Sequence, residues 1–470
     1  MNQIVKRFAN WRGWPWRTFA IPGILFLITA IYALTHYYPF FYFDHWDLVP
    51  MIEARDAGQL KAGQVFALHG YHWHASGYVI MLALGIVTGH AQSAEVIVSL
   101  LLAGTAFFGV LKLLKRQIGV LESDVNWFVP TAIAALFIFS LDQSQNWLWG
   151  WQTAVFVHLV GVVWCIERLT RDVISWRDTV IAAGLAALAI YGFGTGWALI
   201  PIGFAILAAR KRVLAAERWH NLAVWSVFSA LILWHMSLAM NAQALVSTAA
   251  VSGEQSAPFY AYGLYAMNYV ANAVTRFSPD IALPIFLLSA GAALWCMRRF
   301  LQGSAATPLK LAPALSLMAY AVGAGLLTSL GRLDGFGPDT AFLGRYITFA
   351  NLYWLGLIGL VFAVRGGVPK KARRGIGIGI GVLCVMKLGT IGNVVGSGAP
   401  HAVQVRQSIA TVRACYPNHT KEDLTGLFAP SQMKRADHAL DYLHDNRLSA
   451  FVSPPASDIQ CAPASPQDPA

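Results

Sequence analysis

The stretch from Thr18 to Gly77 reads TFAIPGILFLITAIYALTHYYPFFYFDHWDLVPMIEARDAGQLKAGQVFALHGYHWHASG. Its first part, Thr18 to Tyr37, is almost wholly apolar and about 20 residues long, which matches the thickness of a bilayer's hydrocarbon core. The second part, residues 38–77, places two closely spaced carboxylates, Asp44 and Asp47, in one loop with four histidines. This pattern predicts a membrane span followed by a polar loop that carries the function.

The composition of the whole chain agrees with this interpretation. Of its 470 residues 56% are hydrophobic and only 12% are charged, and the mean hydropathy is +0.52. Soluble domains carry about 25% charged residues, so we predict an all-α polytopic membrane protein. The net charge of +11 comes from short basic clusters between apolar runs, which is the positive-inside pattern rather than a nucleic-acid surface.

The apolar runs predict about 11 transmembrane helices and two interfacial helices. The interfacial helices lie after the first loop, at about Tyr78 to Thr88, and in a later external loop, in PFYAYGLYAMNYVANAVTRF. The predicted spans run approximately over Thr18–Tyr37, Ala94–Leu114, Trp127–Leu141, Thr153–Ile166, Thr179–Tyr191, Trp197–Ala209, Leu222–Met240, Ile281–Met297, Leu311–Leu330, Ile347–Val364 and Gly375–Val394.

The basic clusters also predict an orientation and two parts of the chain. Lysines and arginines precede the first span and form the run RGGVPKKARR after the tenth, so the N-terminus is expected in the cytoplasm and the C-terminus outside it. The N-terminus has no small-residue cleavage site and is interpreted as a retained span. We predict a transmembrane domain over 1–395 and an extracytoplasmic tail over 396–470, helical near Lys421 to Leu448 and disordered at its end.

Asp44 and Asp47 are the candidate catalytic residues. Because they are three residues apart, they share a face if the segment is helical. A carboxylate near a low-dielectric boundary is expected to have a raised pKa, which suits a general base. The alternative is a solvated loop in which Asp47 caps the following helix.

The histidines of the same loop offer a second kind of chemistry. His69 and His72 would share a helical face and are candidates for hydrogen bonds to a substrate phosphate or hydroxyl group. Their spacing with His74 matches no zinc motif, and the five cysteines are scattered, so no metal site is predicted. The alternative is that these are ordinary histidines at the membrane interface. Two of the cysteines, Cys415 and Cys461, lie in the tail and could pair outside the cytoplasm.

Two further segments carry candidate substrate-binding residues. In DQSQNWLWGWQ, Trp147, Trp149 and Gln152 would suit a sugar platform, although tryptophan belts are also common at bilayer interfaces. Arg345, next to Tyr346 at the start of a predicted span, could clamp a lipid phosphate or extend its side chain to the interface.

Several blocks together resemble a known class. FDHWD, the H-x-x-H of His69 to His72, QNWLWGWQ, GTGWALIP and GRYITFANLYWLGL resemble blocks of uncharacterised bacterial inner-membrane proteins related to the GT-C class of glycosyltransferases. The resemblance implies a polyprenyl-phosphate-linked sugar as donor, Asp44 or Asp47 as general base and Arg345 on the donor phosphate. It requires no nucleotide and leaves a divalent cation open. The related block carries acidic and basic residues around its second histidine, where this chain has Tyr71 and Trp73.

The leading hypothesis is therefore a multi-pass glycosyltransferase of the bacterial inner membrane. It would move a sugar from the carrier to an envelope glycan, lipid or protein acceptor on the external face. The first alternative is a transporter or flippase for lipid-linked glycans, which predicts ionisable residues within the spans, with Lys387 the clearest and His158 and His235 weaker. The second is a non-catalytic envelope scaffold with solvated loop carboxylates.

Overall fold

A computed structural model describes residues 16–118, 127–210, 215–246, 257–302, 308–430, 432–452 and 461. Within this part of the chain, α-helices dominate and the strands are limited to one short antiparallel hairpin, β1 (Leu68–His69) and β2 (His72–Trp73). The α-helices are α1 (Ala20–His36), α2 (Val49–Asp56), α3 (Ala62–Val65), α4 (Ala75–Thr88), α5 (Gln92–Ile118), α6 (Phe128–Ile138), α7 (Ser144–Leu148), α8 (Thr153–Leu169), α9 (Trp176–Ile190), α10 (Leu199–Ala208), α11 (Ala215–Val246), α12 (Phe259–Thr275), α13 (Ala282–Leu301), α14 (Ala312–Phe336), α15 (Ile347–Arg365), α16 (Lys370–Cys415), α17 (Lys421–Leu424) and α18 (Ala436–Asp445).

Short 3-10 turns join many of these helices and often directly precede the first residue of a helix. They span Trp16–Phe19, Phe43–Leu48, Leu141–Gln143, Gly150–Gln152, Gly194–Ala198, Pro279–Ile281, Pro308–Leu311, Pro338–Phe342, Gly344–Tyr346, Met433–Arg435 and Ser449–Val452.

Eight helices in the described ranges are long and apolar enough to cross a membrane, which supports a multi-pass, all-α membrane protein. With their flanking turns they cover Arg17–His36, Gln92–Ile118, Gly150–Leu169, Ala216–Ala242, Pro279–Leu301, Leu309–Phe336, Gly344–Arg365 and Lys370–Cys415.

Three of the eleven predicted spans are shorter than a membrane crossing requires. They correspond to α6, α9 and α10, of 11, 15 and 10 residues. At 1.5 Å per residue, helices of this length cover roughly 15–22 Å, less than a hydrocarbon core of about 30 Å. Helix length therefore supports eight of the predicted spans and not the count of eleven.

Helix α15 lies at the centre of the bundle. Its sequence, ITFANLYWLGLIGLVFAVR, carries apolar residues on every side, and 17 of its 19 residues are buried inside the protein. A helix without a polar face packs on all sides, so neighbouring helices surround it. Helices α1, α11 and α13, in contrast, expose leucines such as Leu27, Leu231 and Leu288, as expected for surfaces that face lipid.

The predicted second interfacial helix is present as α12, but only its start is exposed. Phe259 is 94% exposed, whereas the residues from Tyr269 to Ala273 are fully buried against the neighbouring spans. Helix α12 is therefore built into the bundle along its second half.

The predicted tail begins as helix rather than as irregular chain. Helix α16 has 46 residues, about 70 Å at the standard rise, and it continues past the predicted end of the span at Val394 to Cys415. The Cys415–Cys461 disulfide is formed, so the pairing that was open in the sequence is present in the structure.

The first loop and the tail share a second hydrophobic core, separate from that of the bundle. We call this unit, residues 38–77 with 402–430 and 432–452, the cap. Trp46 stacks on Phe428 at 4.0 Å between ring centroids, and the Trp46 indole N–H donates to the Leu427 carbonyl at 3.1 Å. Burying such side chains contributes about 1.5–3 kcal/mol each, so the tail is anchored on the loop. The tail residues in this core include Ala402, Val405, Ile409, Val412, Leu427, Phe428, Leu440 and Leu443.

Candidate functional site

The 3-10 turn Phe43–Leu48 presents both candidate aspartates. Residues three apart eclipse one another in a 3-10 helix, so Asp44 and Asp47 lie on one face, as the sequence spacing suggested. Phe43, at the start of the turn, has φ +46°, which costs a residue with a side chain about 1–2 kcal/mol. Its N–H donates to the Leu427 carbonyl of the tail at 2.8 Å, so the tail helps to hold this strained entry.

The hairpin that follows presents the histidines. Gly70, at φ +62°, occupies the first position of the turn between the two strands, a conformation that suits glycine. His69 and His72 are a cross-strand pair, with ring centroids 5.9 Å apart. They therefore share a face because of strand pairing, and the predicted helical arrangement was wrong.

His74 completes a triangle of rings behind the hairpin. Its centroid lies 5.8 Å from that of His69 and 6.1 Å from that of His72. Its imidazole stacks on Trp151, with centroids 4.4 Å apart and planes 13° from parallel. The 3-10 turn Gly150–Gln152 positions Trp151 and places Gln152 beside it.

Two arginines face these groups from the other side. Arg332 lies in the last turns of α14, and Arg345 lies in the turn Gly344–Tyr346. The Asn146 side-chain amide donates to the Arg345 carbonyl at 2.9 Å and fixes that turn. Both guanidinium groups lie over neighbouring aromatic rings, and neither forms an ion pair or hydrogen bond with another side chain in the described ranges.

Most of these groups line one cavity that is partly open to solvent. Its lining combines carboxylate, imidazole, guanidinium, amide and aromatic groups. The lining residues are Asp44, His69, His72, His74, Trp151, Gln152, Val155, Phe193, Arg332, Arg345 and Tyr346.

Asp44 and His69 influence each other's charge. Burial alone would raise the pKa of Asp44, but its interaction with His69 and the positive charges of His69, Arg345 and Arg332 outweigh burial and lower that pKa. The prediction of a raised pKa was therefore wrong for Asp44. Burial would in turn lower the pKa of His69, but Asp44 and Asp47 raise it above its ordinary value of 6.5.

The other two histidines of the cavity are held neutral. Burial, followed by the charges of His69 and Arg332, lowers the pKa of His72 to about 3. Burial, with the charges of His69 and His72, also lowers the pKa of His74 well below its ordinary value. At neutral pH both can therefore act as hydrogen-bond donors or acceptors without carrying charge.

Asp47 lies beside the cavity without lining it and contacts the tail. Its Oδ1 atom accepts from Arg435 Nη2 at 3.0 Å and from Gln432 Nε2 at 3.1 Å. Its Oδ2 atom lies 3.5 Å from His69 Nδ1, while His69 Nε2 lies 3.8 Å from Asp44 Oδ2, an ion-pair distance rather than a full hydrogen bond. His69 thus lies between the two carboxylates.

The structure brings six of the nine predicted site residues to the cavity and leaves three away from it. Asp44, His69, His72, Gln152, Arg345 and Tyr346 line it. Trp147 is completely buried and stacks on Phe156 at 4.5 Å, so it cannot form a sugar platform. Trp149 is also buried, 6.4 Å from Trp151 between ring centroids, and Asp47 is bound to the tail.

Sequence reasoning missed Arg332, Trp151 and His74 as lining residues. A signal for Arg332 was present, because GRLDGFGPDTAFLGRY carries it and Arg345 in one connection between spans. Trp151 stood in the tryptophan motif, but the sequence did not show which of the three rings faces the cavity.

The histidines and carboxylates of the cavity are side-chain types that also bind metal ions. Within the described ranges, however, no group of three histidine, cysteine, aspartate or glutamate side chains has an arrangement that could hold a metal ion.

The ionisable residues predicted within the spans have protein partners. Lys387 Nζ lies 2.7 Å from Asp142 Oδ2 and 2.9 Å from Asn351 Oδ1, and both members of the ion pair are completely buried. His158 bonds to Tyr320 and to the Ala189 carbonyl.

His235, the third of these candidates, accepts or donates a hydrogen bond at 2.6 Å with the Tyr191 hydroxyl. It also stacks on Trp73, so it joins α11 to the hairpin rather than standing alone.

Neither the family models nor the curated proteins include a match to this chain.

Proposed function

We propose that the protein is a membrane glycosyltransferase that moves a sugar from a polyprenyl-phosphate carrier to an envelope glycan, lipid or protein acceptor on the external face. The observation that carries the proposal is the placement of Asp44 in one cavity with two arginines that have no ion-pair partner among the described residues. A transferase of this kind needs a base for the acceptor and cations for the carrier phosphate, and the cavity offers both.

The arginines suit the phosphate. A half-buried guanidinium without a carboxylate partner is costly to desolvate, and an anionic ligand would compensate both Arg332 and Arg345. Arginine binds phosphate through paired N–H groups, so the two side chains would also orient the carrier.

The surroundings suit a lipid carrier. Arg332 lies near the end of a membrane-spanning helix whose outer surface exposes Leu326, Leu330 and Phe336. A polyprenyl chain could lie along this apolar surface while its phosphate reaches the cavity.

In the proposed reaction, Asp44 accepts the proton of an acceptor hydroxyl group. The oxygen forms a bond to the anomeric carbon of the sugar, and the bond from that carbon to the phosphate oxygen breaks. The electron pair leaves with the polyprenyl phosphate, where Arg332 and Arg345 stabilise the charge. The lowered pKa of Asp44 keeps this carboxylate ionised at neutral pH, so it can accept a proton, but it is a weaker base than the raised pKa expected from the sequence would have made it.

The alternatives have less support from the described residues. A transporter or flippase predicts ionisable groups along a path through the spans, but Lys387 and Asp142 neutralise each other in a closed, buried contact. A scaffold predicts solvated loop carboxylates, whereas Asp44 and Asp47 both contact His69.

The test uses purified full-length protein in lipid nanodiscs with a panel of polyprenyl-phosphate sugars and envelope acceptors. Release of free polyprenyl phosphate is measured for the wild type and for Asp44→Asn. We expect Asp44→Asn to lower kcat by about 10²–10⁴-fold, the usual contribution of a general base.

Asp56→Asn is the matched control, because this loop carboxylate pairs with Arg55 and Tyr442 outside the cavity. It should turn over the same donor at nearly the wild-type rate. Donor binding without turnover in any variant, across the acceptor panel, would contradict the transferase and favour the flippase or scaffold.

A further inference from the structure

The two aspartates differ in what surrounds them, although the sequence could not separate them. Asp44 lines the cavity, whereas Asp47 accepts two hydrogen bonds from the tail, from Gln432 and Arg435. A carboxylate whose Oδ1 atom already accepts from an amide and a guanidinium is poorly placed to take a proton from an acceptor.

We infer that Asp47 is a positioning residue and that the tail completes the site: Gln432 and Arg435 hold Asp47, and Asp47 holds His69 against Asp44. This inference rests on the proposed function in taking Asp44 as the base. It makes the cap one functional unit built from the two ends of the described chain.

The geometry of His69 supports this arrangement. Its two ring nitrogens face different carboxylates, Nδ1 toward Asp47 at 3.5 Å and Nε2 toward Asp44 at 3.8 Å. Only the doubly protonated imidazolium has a donor on both nitrogens, so the two carboxylates together favour the charged form. That charge in turn helps to keep Asp44 ionised.

The tail is held firmly enough for this role. The Trp46–Phe428 stack lies beside the contacts to Asp47, and His438 Nε2 pairs with Glu53 Oε1 at 2.9 Å further along the same interface. The Cys415–Cys461 disulfide joins the two ends of this tail segment. The contact between Arg435 and Asp47 is therefore part of a packed interface and not an isolated surface ion pair.

Other charged and titratable groups also act on His69, and the experiment must separate them from Asp47. They are Asp44 on the same turn as Asp47, His72 and His74 on and after the second strand, and Arg332 at the end of α14.

The first measurement is the pKa of His69 in the full chain without substrate, by hydrogen–deuterium exchange at the imidazole C2 position followed by mass spectrometry. We expect Asp47→Asn to lower this pKa by about 1, the usual effect of removing an opposite charge at this distance. An unchanged pKa would overturn the inference.

Arg435→Gln tests the tail through a double-mutant cycle. Arg435 is half exposed, so its own charge is screened, and its main effect should pass through the orientation of Asp47. We expect Arg435→Gln to lower the pKa of His69 in the wild-type background and to have no further effect in Asp47→Asn. Additive effects would overturn a role through Asp47.

His438→Gln is the matched control, because it breaks a tail–loop ion pair of similar length that does not touch Asp47. His438→Gln should leave the pKa of His69 unchanged. An equal fall of this pKa in His438→Gln and Arg435→Gln would show that the tail merely stabilises the cap, and it would overturn the inference.

The same variants are then assayed for transfer. Asp47→Asn and Arg435→Gln should lower kcat about tenfold or more with little change in KM for the donor, less than the loss in Asp44→Asn. If no donor turns over in any variant but the pKa coupling is present, the proposed function fails and the assembly of the site stands. If turnover depends on Asp44 but the pKa coupling is absent, the proposed function stands and the inferred role of Asp47 and the tail fails.

Discussion

Two regions of the molecule treat buried charge in opposite ways. In the bundle, Lys387 binds Asp142, Asn351 and the Ala273 carbonyl, and no part of the ion pair is exposed. In the cavity, Arg332 and Arg345 are half-buried without an ion-pair partner in the described ranges.

The difference separates charges that hold the fold from charges that are available to a ligand. The Lys387 contact joins α16 to the bundle through partners that the protein supplies. Arg332 and Arg345 form no such ion pair in the part of the chain that the structure describes. Their charges act on Asp44 across the partly open cavity, where they are also accessible to an anionic ligand. The following predictions test this division.

The largest effect is expected from the bundle. Asp142→Asn leaves Lys387 buried without its counter-charge and should destabilise the fold by about 3–5 kcal/mol. Thermal unfolding in detergent, followed by tryptophan fluorescence, measures the loss. The double variant Asp142→Leu with Lys387→Met should recover most of it; a double variant as unstable as the single would show that the pair does more than neutralise itself.

In the cavity the expected loss is in binding and not in folding. Arg345→Gln and Arg332→Gln should each weaken binding of a polyprenyl phosphate by roughly 10–100-fold, since a charge-assisted hydrogen bond contributes about 1.5–3 kcal/mol. The unfolding temperature should hardly change. Affinity is measured in nanodiscs with the lipid phosphate. A large loss of stability with unchanged affinity would contradict this prediction and would show that the two arginines, like Lys387, stabilise the fold.

A smaller effect is expected where the chain passes close to His72. A Cβ atom added at Gly194 would lie 2.9 Å from the Cβ of His72, so Gly194→Ala should displace that imidazole and reduce donor affinity several-fold, at a cost of about 1–3 kcal/mol in stability. Gly184→Ala is the control, because a Cβ there meets nothing within 4 Å. Equal behaviour of the two variants would rule out a role for His72 in the cavity.

The smallest effect is a pH dependence of stability at the Asp44–His69 pair. Because the pKa of His69 is higher in the folded than in the unfolded protein, the charged imidazole stabilises the fold. This contribution is complete below pH 6.5 and is lost as the pH rises through the pKa of His69 in the folded protein. Because the pKa of Asp44 is lower in the folded than in the unfolded protein, its carboxylate also stabilises the fold. This contribution is complete above pH 3.8 and is lost as the pH falls through the pKa of Asp44 in the folded protein.

Wild type and His69→Gln should therefore differ most in unfolding temperature between pH 3.8 and 6.5 and converge at higher pH. His444→Gln, on the exposed face of the tail, serves as the control. A difference in unfolding temperature that grows above neutral pH would contradict a stabilising role for the charged imidazole.

The all-α membrane character could be predicted because apolar run length is a direct physical requirement of the bilayer. The three short helices could not be separated from spans, since α9 and α10 carry sequences as apolar as true crossings and only their observed ends show their length. The continuation of α16 was missed because glycines and a proline follow Val394, and local propensity did not reveal the packing of Val405 and Val412 in the cap.

The sequence identified most of the residues that the structure brings to the cavity, but not how they are arranged there. Residue types identified Asp44, His69 and Arg345, which the structure brings to one cavity. The different surroundings of Asp44 and Asp47 depend on Gln432 and Arg435, nearly 400 residues away. Contacts at that separation leave no local pattern in a single sequence.

Helix α16 runs without interruption from the bundle to the cap. Lys387 fixes it in the bundle, and Val405 lies 18 residues further on, about 27 Å along the axis and five turns away, on the cap. Each residue inserted between them would rotate the cap by about 100° and raise it by about 1.5 Å. The number of residues between Lys387 and Val405 therefore sets both the rotation of the tail about the helix axis and its distance from the bundle, and so its position over Asp47.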